Sequence, residues 1–409
     1  EGEREFFLPQ TLEQLLADRI EELPPRERRI VDWLAIAGGP LAVPDLERLL
    51  AEGSSVPSVA TEPAARLCER GLCDRRGSDL DFRHPLTRDV AYGALSATAR
   101  ARMHKALGEH LTGTPLARGV SAAIVASHFA RGDDGERAAH YYIEAATAAR
   151  TTYQTPLAVR YYKRALLQLT IDDPRRLVAH EALEGIYRML GRKRDRVAQL
   201  EGMRACARHV GTPRSVCLAF LRTARFDLDE GRLPHGLPIA RKAAQIARGS
   251  GFLQLEIEAE SLTSELSREL GDVQAALAAA DRALAAANPD VNANVPPRLR
   301  ADALRSRGVL LRRVGRVREA VDDYVQAIAI YRKSGAHRQE ARAKNALAYA
   351  MFVQGRYEDA IALAFESIQI DLSVGGRFQL AKTLANIGHA YSRLGDVPRA
   401  AAYLQRARD

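Results

Sequence analysis

Lysine is scarce in this 409-residue chain. It occurs only at 105, 163, 193, 242, 333, 344 and 382, which leaves 53 of the 60 basic residues as arginine. The arginines are spread over all regions and not gathered in a tail. The formal charge of +9 therefore reads as a compositional bias and argues against a nucleic-acid footprint. Cysteine is also sparse. The four thiols, Cys68, Cys73, Cys206 and Cys217, lack the short double spacing of a zinc site and are too few for a disulfide framework, as in a reduced cytoplasm. No apolar run approaches the roughly 20 residues of a membrane span. The alanine-rich stretch 275–287 is broken by Asp281 and Arg282. Aromatics are only 6% while alanine is abundant, which favours closely spaced helices over a sheet. The chain opens on Glu1-Gly2-Glu3-Arg4, with no signal peptide or initiator Met, and stops inside a helical pattern. It is expected to be an internal piece of a larger protein.

Catalytic constellations are missing as well. His104 and His110 are six residues apart with no matching acid pattern, and His-Glu-x2-His does not occur. His84 sits at a turn, where capping or packing is its expected role. There is no Gly-x-Ser-x-Gly elbow and no phosphate-cradling Gly-x4-Gly-Lys-Ser/Thr. The chain is expected to be non-catalytic, with no cofactor or metal of its own.

What is present is a rhythm. Gly355 opens "GRYEDA", Gly395 opens "GDVPRA" and Gly315 opens "GRVREA". Glycines at 191, 231, 271, 315, 355 and 395 are separated by 40, 40, 44, 40 and 40 residues, the mark of a stacked repeat. The extra four fall at the loop-like "NPDVNANVPP" (288–297). Between the glycines, apolar residues keep helical spacing, as in Leu384, Ile387 and Tyr391, so each unit is expected to be two antiparallel helices. The glycine ends the first helix in the left-handed conformation. The alanine five residues on marks a close contact in the second helix. "GSG" at 249–251 reads as one more helix stop.

Leu384-x2-Ile387-Gly388-x2-Tyr391 followed by Ala400-x3-Leu404 resembles the tetratricopeptide repeat. Ala320-x3-Tyr324 and Ala360-x3-Ala364 repeat its second half, and Gly308 and Ala348 take the small position of the first helix. The match is good over 301–409 and looser over 171–300, where Gly185 falls one residue out of register.

In the front third, Thr11 and Gln14 read as the capped start of an amphipathic helix ended by "LPP" at 23–25. Helices are expected over 26–37, near 43–51 and over 57–71, then strand-like runs at 72–75 and 80–83 around Gly77-Ser78-Asp79. That is a winged-helix layout. "FRHPLTRDVAYGAL" (82–95), "RARMHKALGEHL" (100–111) and "SHFARGDDGERAAHYYIEAA" (127–146) resemble the region that follows the nucleotide-binding domain in bacterial signal-transduction ATPases of the STAND class. Relatives include regions attached to serine/threonine kinases and to maltose-regulator-like activators. The resemblance implies an upstream ATPase module with ATP and magnesium, and an arm that docks on it. The expected fold is predominantly all-α: a winged-helix-like domain over 1–113, bridging helices over 114–170 and a repeat solenoid over 171–409.

The residues 13, 10, 6 and 3 or 2 before each turn glycine share one face of the first helix, which the tetratricopeptide resemblance implies lines the concave surface. Here they are Asp302, Arg305, Val309, Arg312 and Arg313; then Arg342, Asn345, Tyr349, Phe352 and Val353; then Lys382, Ala385, His389, Ser392 and Arg393, with Asn386 one step aside. Arg305, Arg312, Arg342, Asn345, Tyr349, Lys382, Asn386, His389 and Arg393 are the candidate partner-binding residues. They suit a protein or acidic peptide. The preceding repeat offers Glu258 and Glu265, from which a change of sign along the groove is expected. Two other readings stand beside this one. The candidate recognition helix 57–71 could touch DNA, although Glu62 and Glu69 offset Arg66 and Arg70. The last helix could stack on a second copy of the chain.

Overall fold

The computed structural model describes residues 10–51, 60–113, 121–290, 292, 294–373 and 380–408. The Thr11 side chain expected to cap the first helix, residues 57–59 of the candidate recognition helix, and residues 114–120 at the start of the expected bridge lie outside them. The chain forms two compact units, 1–199 and 200–409.

In the first unit, Pro25 supplies a preset first turn for α2 (Pro25–Ala37), and Gly38 at φ 70° ends it. Ahead of it lies α1 (Gln10–Glu21). After it come β1 (Leu41–Ala42), α3 (Val43–Ala51), α4 (Thr61–Glu69), β2 (Cys73–Arg76) and β3 (Asp79–Phe82). The strands form one antiparallel sheet in the order β1-β3-β2, with Leu80 opposite both Leu41 and Arg75. Ile30, Leu34, Leu46, Leu49, Leu67 and Leu80 meet in its core. The sequence reading found β2 and β3 but not β1, because two residues carry no alternation to read. Helices α5 (Pro85–Ala94), α6 (Ala97–Gly113), α7 (Ala122–Arg131), α8 (Gly135–Thr151), α9 (Thr155–Gln168) and α10 (Arg175–Met189) follow, then α11 (Lys193–Val210), within which the unit ends.

The second unit is a series of helical hairpins: α12 (Pro213–Asp229) with α13 (Leu233–Gly249), α14 (Leu253–Glu269) with α15 (Val273–Ala286), α16 (Pro297–Arg313) with α17 (Val317–Lys333), α18 (His337–Val353) with α19 (Tyr357–Ser373), and α20 (Leu380–Arg393) with α21 (Val397–Arg408). All six turn glycines have φ between 66° and 85°. The residue after each donates its N–H five positions back, as from Arg316 to Leu311 O at 2.9 Å and from Arg356 to Met351 O at 3.0 Å. This six-to-one bond satisfies a helix-end carbonyl and needs the left-handed residue between. Gly251 and Gly335 do the same at the far ends of their hairpins, and Gly211 is also left-handed. Over 191–271 and 315–355 left-handed glycines therefore recur every 20 residues, twice as often as the 40-residue step suggested.

Within each hairpin the residue seven before the glycine faces the residue five after it. Gly308 with Ala320, Ala348 with Ala360 and Gly388 with Ala400 are the regular cases, all buried. A Cβ at Gly308 would lie 2.8 Å from the Tyr324 ring, and one at Gly388 would lie 2.8 Å from Leu404 Cγ. Two units depart from the glycine-to-alanine spacing. After Gly231 the contact residue is Gly236, whose Cβ would meet Asp227 Cβ at 3.0 Å. After Gly191 it is Arg196, which donates from Nε and Nη2 to Glu184 at 2.9 and 2.8 Å, both side chains being about 5% exposed. A buried ion pair stands there where two small residues stand elsewhere.

This geometry gives opposite signs for two glycine substitutions. Gly308→Leu should cost about 1–3 kcal/mol, because the fully buried Tyr324 cannot withdraw. Gly185→Ala in α10 meets nothing within 4 Å and should stabilise by about 0.5–1 kcal/mol through helix propensity. Denaturation midpoints check both, and a loss of stability at Gly185→Ala contradicts the contact register.

Candidate partner-binding groove

The first helices of three successive hairpins, α16, α18 and α20, carry their glycine-referenced positions along one face. That face, together with the end of α14, encloses a cavity of about 690 Å³. It is lined by Arg268, Arg305, Val309, Arg312, Arg313, Tyr324, Arg342, Asn345, Ala346, Tyr349, Lys382 and Asn386. Seven of the nine candidate residues are thus brought together: Arg305, Arg312, Arg342, Asn345, Tyr349, Lys382 and Asn386. His389 and Arg393 are exposed on α20 and do not line the cavity.

The charge balance sets this cavity apart. No carboxylate lines it. Among the described residues, none of Arg305, Arg312, Arg313, Arg342 and Lys382 is within ion-pair distance of an acid. Elsewhere in the unit, several arginines are held by acids. Arg282 and Arg248 both reach Glu260, Arg307 grips Asp323, and Arg332 reaches Glu340 at 3.1 Å. An arginine bias alone gives scattered, paired guanidinia. It does not by itself account for five unpaired cations around one space.

The polar groups between the cations are positioned by packing. Asn386 Nδ2 donates to Asn345 Oδ1 at 3.2 Å, tying α20 to α18, and Asn345 is itself 6% exposed. The Arg312 guanidinium lies over the Tyr349 ring at 4.5 Å, and the other ring contact of Tyr349 is Phe352, stacked at 6.0 Å. Asp302 accepts from the Tyr331 hydroxyl at 2.6 Å and does not line the cavity.

Three lining residues were not expected from the sequence: Ala346, one step from Asn345 on α18, together with Tyr324 and Arg268. Tyr324 belongs to α17, a second helix. It reaches the groove because Gly308 has no side chain to hold its ring off α16. The glycine was the available signal. Arg268 sits three residues before Gly271, in the repeat that Glu258 and Glu265 marked as acidic. That expectation is corrected. Arg222 reaches Glu258 at 2.5 Å and Arg225 reaches Glu265 at 2.6 Å, so each acid is neutralised by the repeat before it.

The remaining candidates are engaged within the fold. His110 Nε2 lies 3.0 Å from Asp45, and His84 holds the N-cap position of α5 without a side-chain cap bond. Arg66 of α4 and Arg70 just after it lie 3.6 and 3.4 Å from the buried Glu27, and Arg66 also reaches Glu62 at 3.0 Å. Burial pushes the Cys73 thiol up to about 12 and the Cys217 thiol to about 11, so neither is an activated nucleophile at neutral pH. Among the described residues, no cluster of three His, Cys, Asp or Glu could hold a metal, and no helix is long and apolar enough to cross a membrane.

Residues 299–373 and 339–409 each match the tetratricopeptide repeat family. This part of the chain is built of tetratricopeptide repeats. The cavity therefore lies mostly within tetratricopeptide repeats, with Arg268 contributed from the hairpin ahead of the matched residues. No curated protein sequence matches the chain. Among solved structures, it resembles a Signal Transduction ATPase with Numerous Domains (STAND) protein with a tetratricopeptide repeat sensor from Pyrococcus horikoshii. The two are 15% identical, with a TM-score of 0.55 over all of this chain and 65% of the other. The chain thus spans about two thirds of that protein's length. It also resembles the apo form of RapI, at 12% identity and a TM-score of 0.50 over 66% of this chain and 97% of the other. At these identities the likeness is one of fold.

Proposed function

We propose that the chain is the non-catalytic sensing and docking arm of a larger STAND-type signalling ATPase, working in the cytoplasm. Its tetratricopeptide repeats bind an acidic protein or peptide partner in the groove between α16, α18 and α20. The observation that carries this reading is the set of five cations, unpaired among the described residues, around a cavity with no acid of its own. Anionic side chains of a partner supply the missing acceptors, and guanidinium groups favour planar, two-point contacts with carboxylates. The likeness to a STAND protein with a repeat sensor supports the assignment to such an arm.

In this reading residues 1–113 form a winged-helix-like relay that packs on the upstream ATPase module, and ATP with magnesium belongs to that module. The repeats shift its equilibrium only by the difference in partner affinity between its two states. A DNA-contacting role for α4 is disfavoured because Arg66 and Arg70 already lie beside Glu27 and Glu62. Recovery of the acidic partner by the full chain tests the proposal. Replacing Arg312, Arg342 and Lys382 together by Glu should cut it at least about 100-fold, since each charge-assisted contact is worth about 1.5–3 kcal/mol. Unchanged recovery removes these residues from the account.

A further inference from the structure

We infer that the same cavity is built for a compact anion carrying two or more phosphoryl groups, rather than for carboxylates alone. This rests on the reading of the groove as an anion-binding surface and specifies the anion. Tyr324 is fully buried and lines the cavity, and its hydroxyl, beside the Arg312 guanidinium, has no acceptor for its own proton. Burial raises its pKa above that of ordinary tyrosine, with the Arg312 guanidinium acting in the opposite sense, so at neutral pH the hydroxyl is a donor. Arg268 lines the cavity from α14; Glu269 takes its Nη2, and its buried Nε–H lacks an acceptor. Unsatisfied buried donors are costly to a folded chain and call for an acceptor from outside.

The cavity thus offers two unused donors at its wall and five cations around about 690 Å³. Matching those cations with carboxylates takes five acidic side chains together with their backbone. A short chain of phosphoryl groups brings the same charge in far fewer atoms, with three acceptor oxygens on a terminal group. The phosphate oxygens accept from guanidinium forks, from the Asn345 amide and from the Tyr324 hydroxyl. Tyr349 is engaged by Arg312 and stacked on Phe352, so the site reads charge and acceptor geometry, not an aromatic base.

Calorimetric titration of the full chain with inorganic tripolyphosphate at physiological salt tests this, with a hexaglutamate peptide and a nucleoside triphosphate in parallel. Tripolyphosphate is expected to bind at least about tenfold more tightly than hexaglutamate. Tyr324→Phe should not lower the melting temperature of the free chain, since it removes a buried donor that has no acceptor, and should weaken tripolyphosphate about tenfold. Arg268→Gln should weaken it by a similar factor. A nucleoside triphosphate binding as tightly as tripolyphosphate supports the phosphoryl reading, and tighter binding would overturn the statement that the site reads no base. If hexaglutamate binds as tightly as tripolyphosphate, or if neither variant alters tripolyphosphate binding, the inference falls while the acidic-partner reading stands. If neither anion binds, both fall.

Discussion

Lowering the pH from 7 to 5 should destabilise the first unit by about 4 kcal/mol, roughly 2 kcal/mol for each of two histidines. His104 and His128 meet through their Nδ1 atoms at 2.9 Å, and the Tyr92 hydroxyl lies 3.0 Å from His104 Nε2. The two rings are 0% and 4% exposed. A neutral pair fits, with one proton between the facing nitrogens. A doubly protonated pair would set two N–H groups head to head. Burial first, then the neighbouring charges, lowers both pKa values to about 4; Arg131 acts on both rings, and Arg100 and the partner ring act on His104.

An imidazole whose folded pKa lies below its unfolded value takes up its proton more readily when unfolded. Stability is therefore fully present above the unfolded value near 6.5 and is lost as the pH falls toward 4. His180, also lowered by burial, adds to the slope in the same direction. Asp134 and Asp173 are held below the ordinary carboxylate range by Arg137 and Arg175, so their contribution is lost only at lower pH. Denaturation midpoints at pH 7, 6 and 5 read the slope. His128→Gln should remove about half of it, and an unchanged slope would contradict the assignment.

Removing one arginine should have a comparable effect in the repeats. Arg307 of α16 donates to Asp323 of α17 from Nε at 2.8 Å and from Nη2 at 2.6 Å, and also reaches Asp281 of α15 at 3.1 Å. The Asp323 side chain is 2% exposed. The hydrogen bond to Asp323 is the main reason the guanidinium pKa is raised, so the cation is fixed at any accessible pH. Arg307→Met leaves a buried carboxylate without its fork and should cost about 3–5 kcal/mol. Arg307→Met with Asp323→Leu should recover most of that loss, because no charge is then buried alone. Denaturant titration of the two variants decides it. An equal loss in both would assign the effect to packing instead of charge.

Much of this could be read from the residues, and the reasons for the rest are specific. Turn glycines announce themselves because a left-handed residue excludes most side chains, so the 40-residue step and the hairpins followed from spacing alone. The groove followed from counting back along α16, α18 and α20, since a helix fixes which residues share a face. Tyr324 did not, because it lines the groove from a second helix with its ring packed over Gly308, a contact between elements that periodicity does not encode. Nor did the neutrality of Glu258 and Glu265, which depends on Arg222 and Arg225 one repeat away. The Glu184–Arg196 pair was equally hidden. It occupies positions where neighbouring repeats have small residues, and only the packed hairpin shows the two charges to be opposite each other.

The central claim is that the cation-lined face of the tetratricopeptide repeats is where this chain meets an anionic partner. A crystal structure of the chain with its acidic ligand bound tests that most directly. The ligand should lie between α16, α18 and α20, within hydrogen-bond distance of Arg305, Arg312, Arg342 or Lys382. A ligand seated against α17, α19 and α21, or in the first unit, would contradict it.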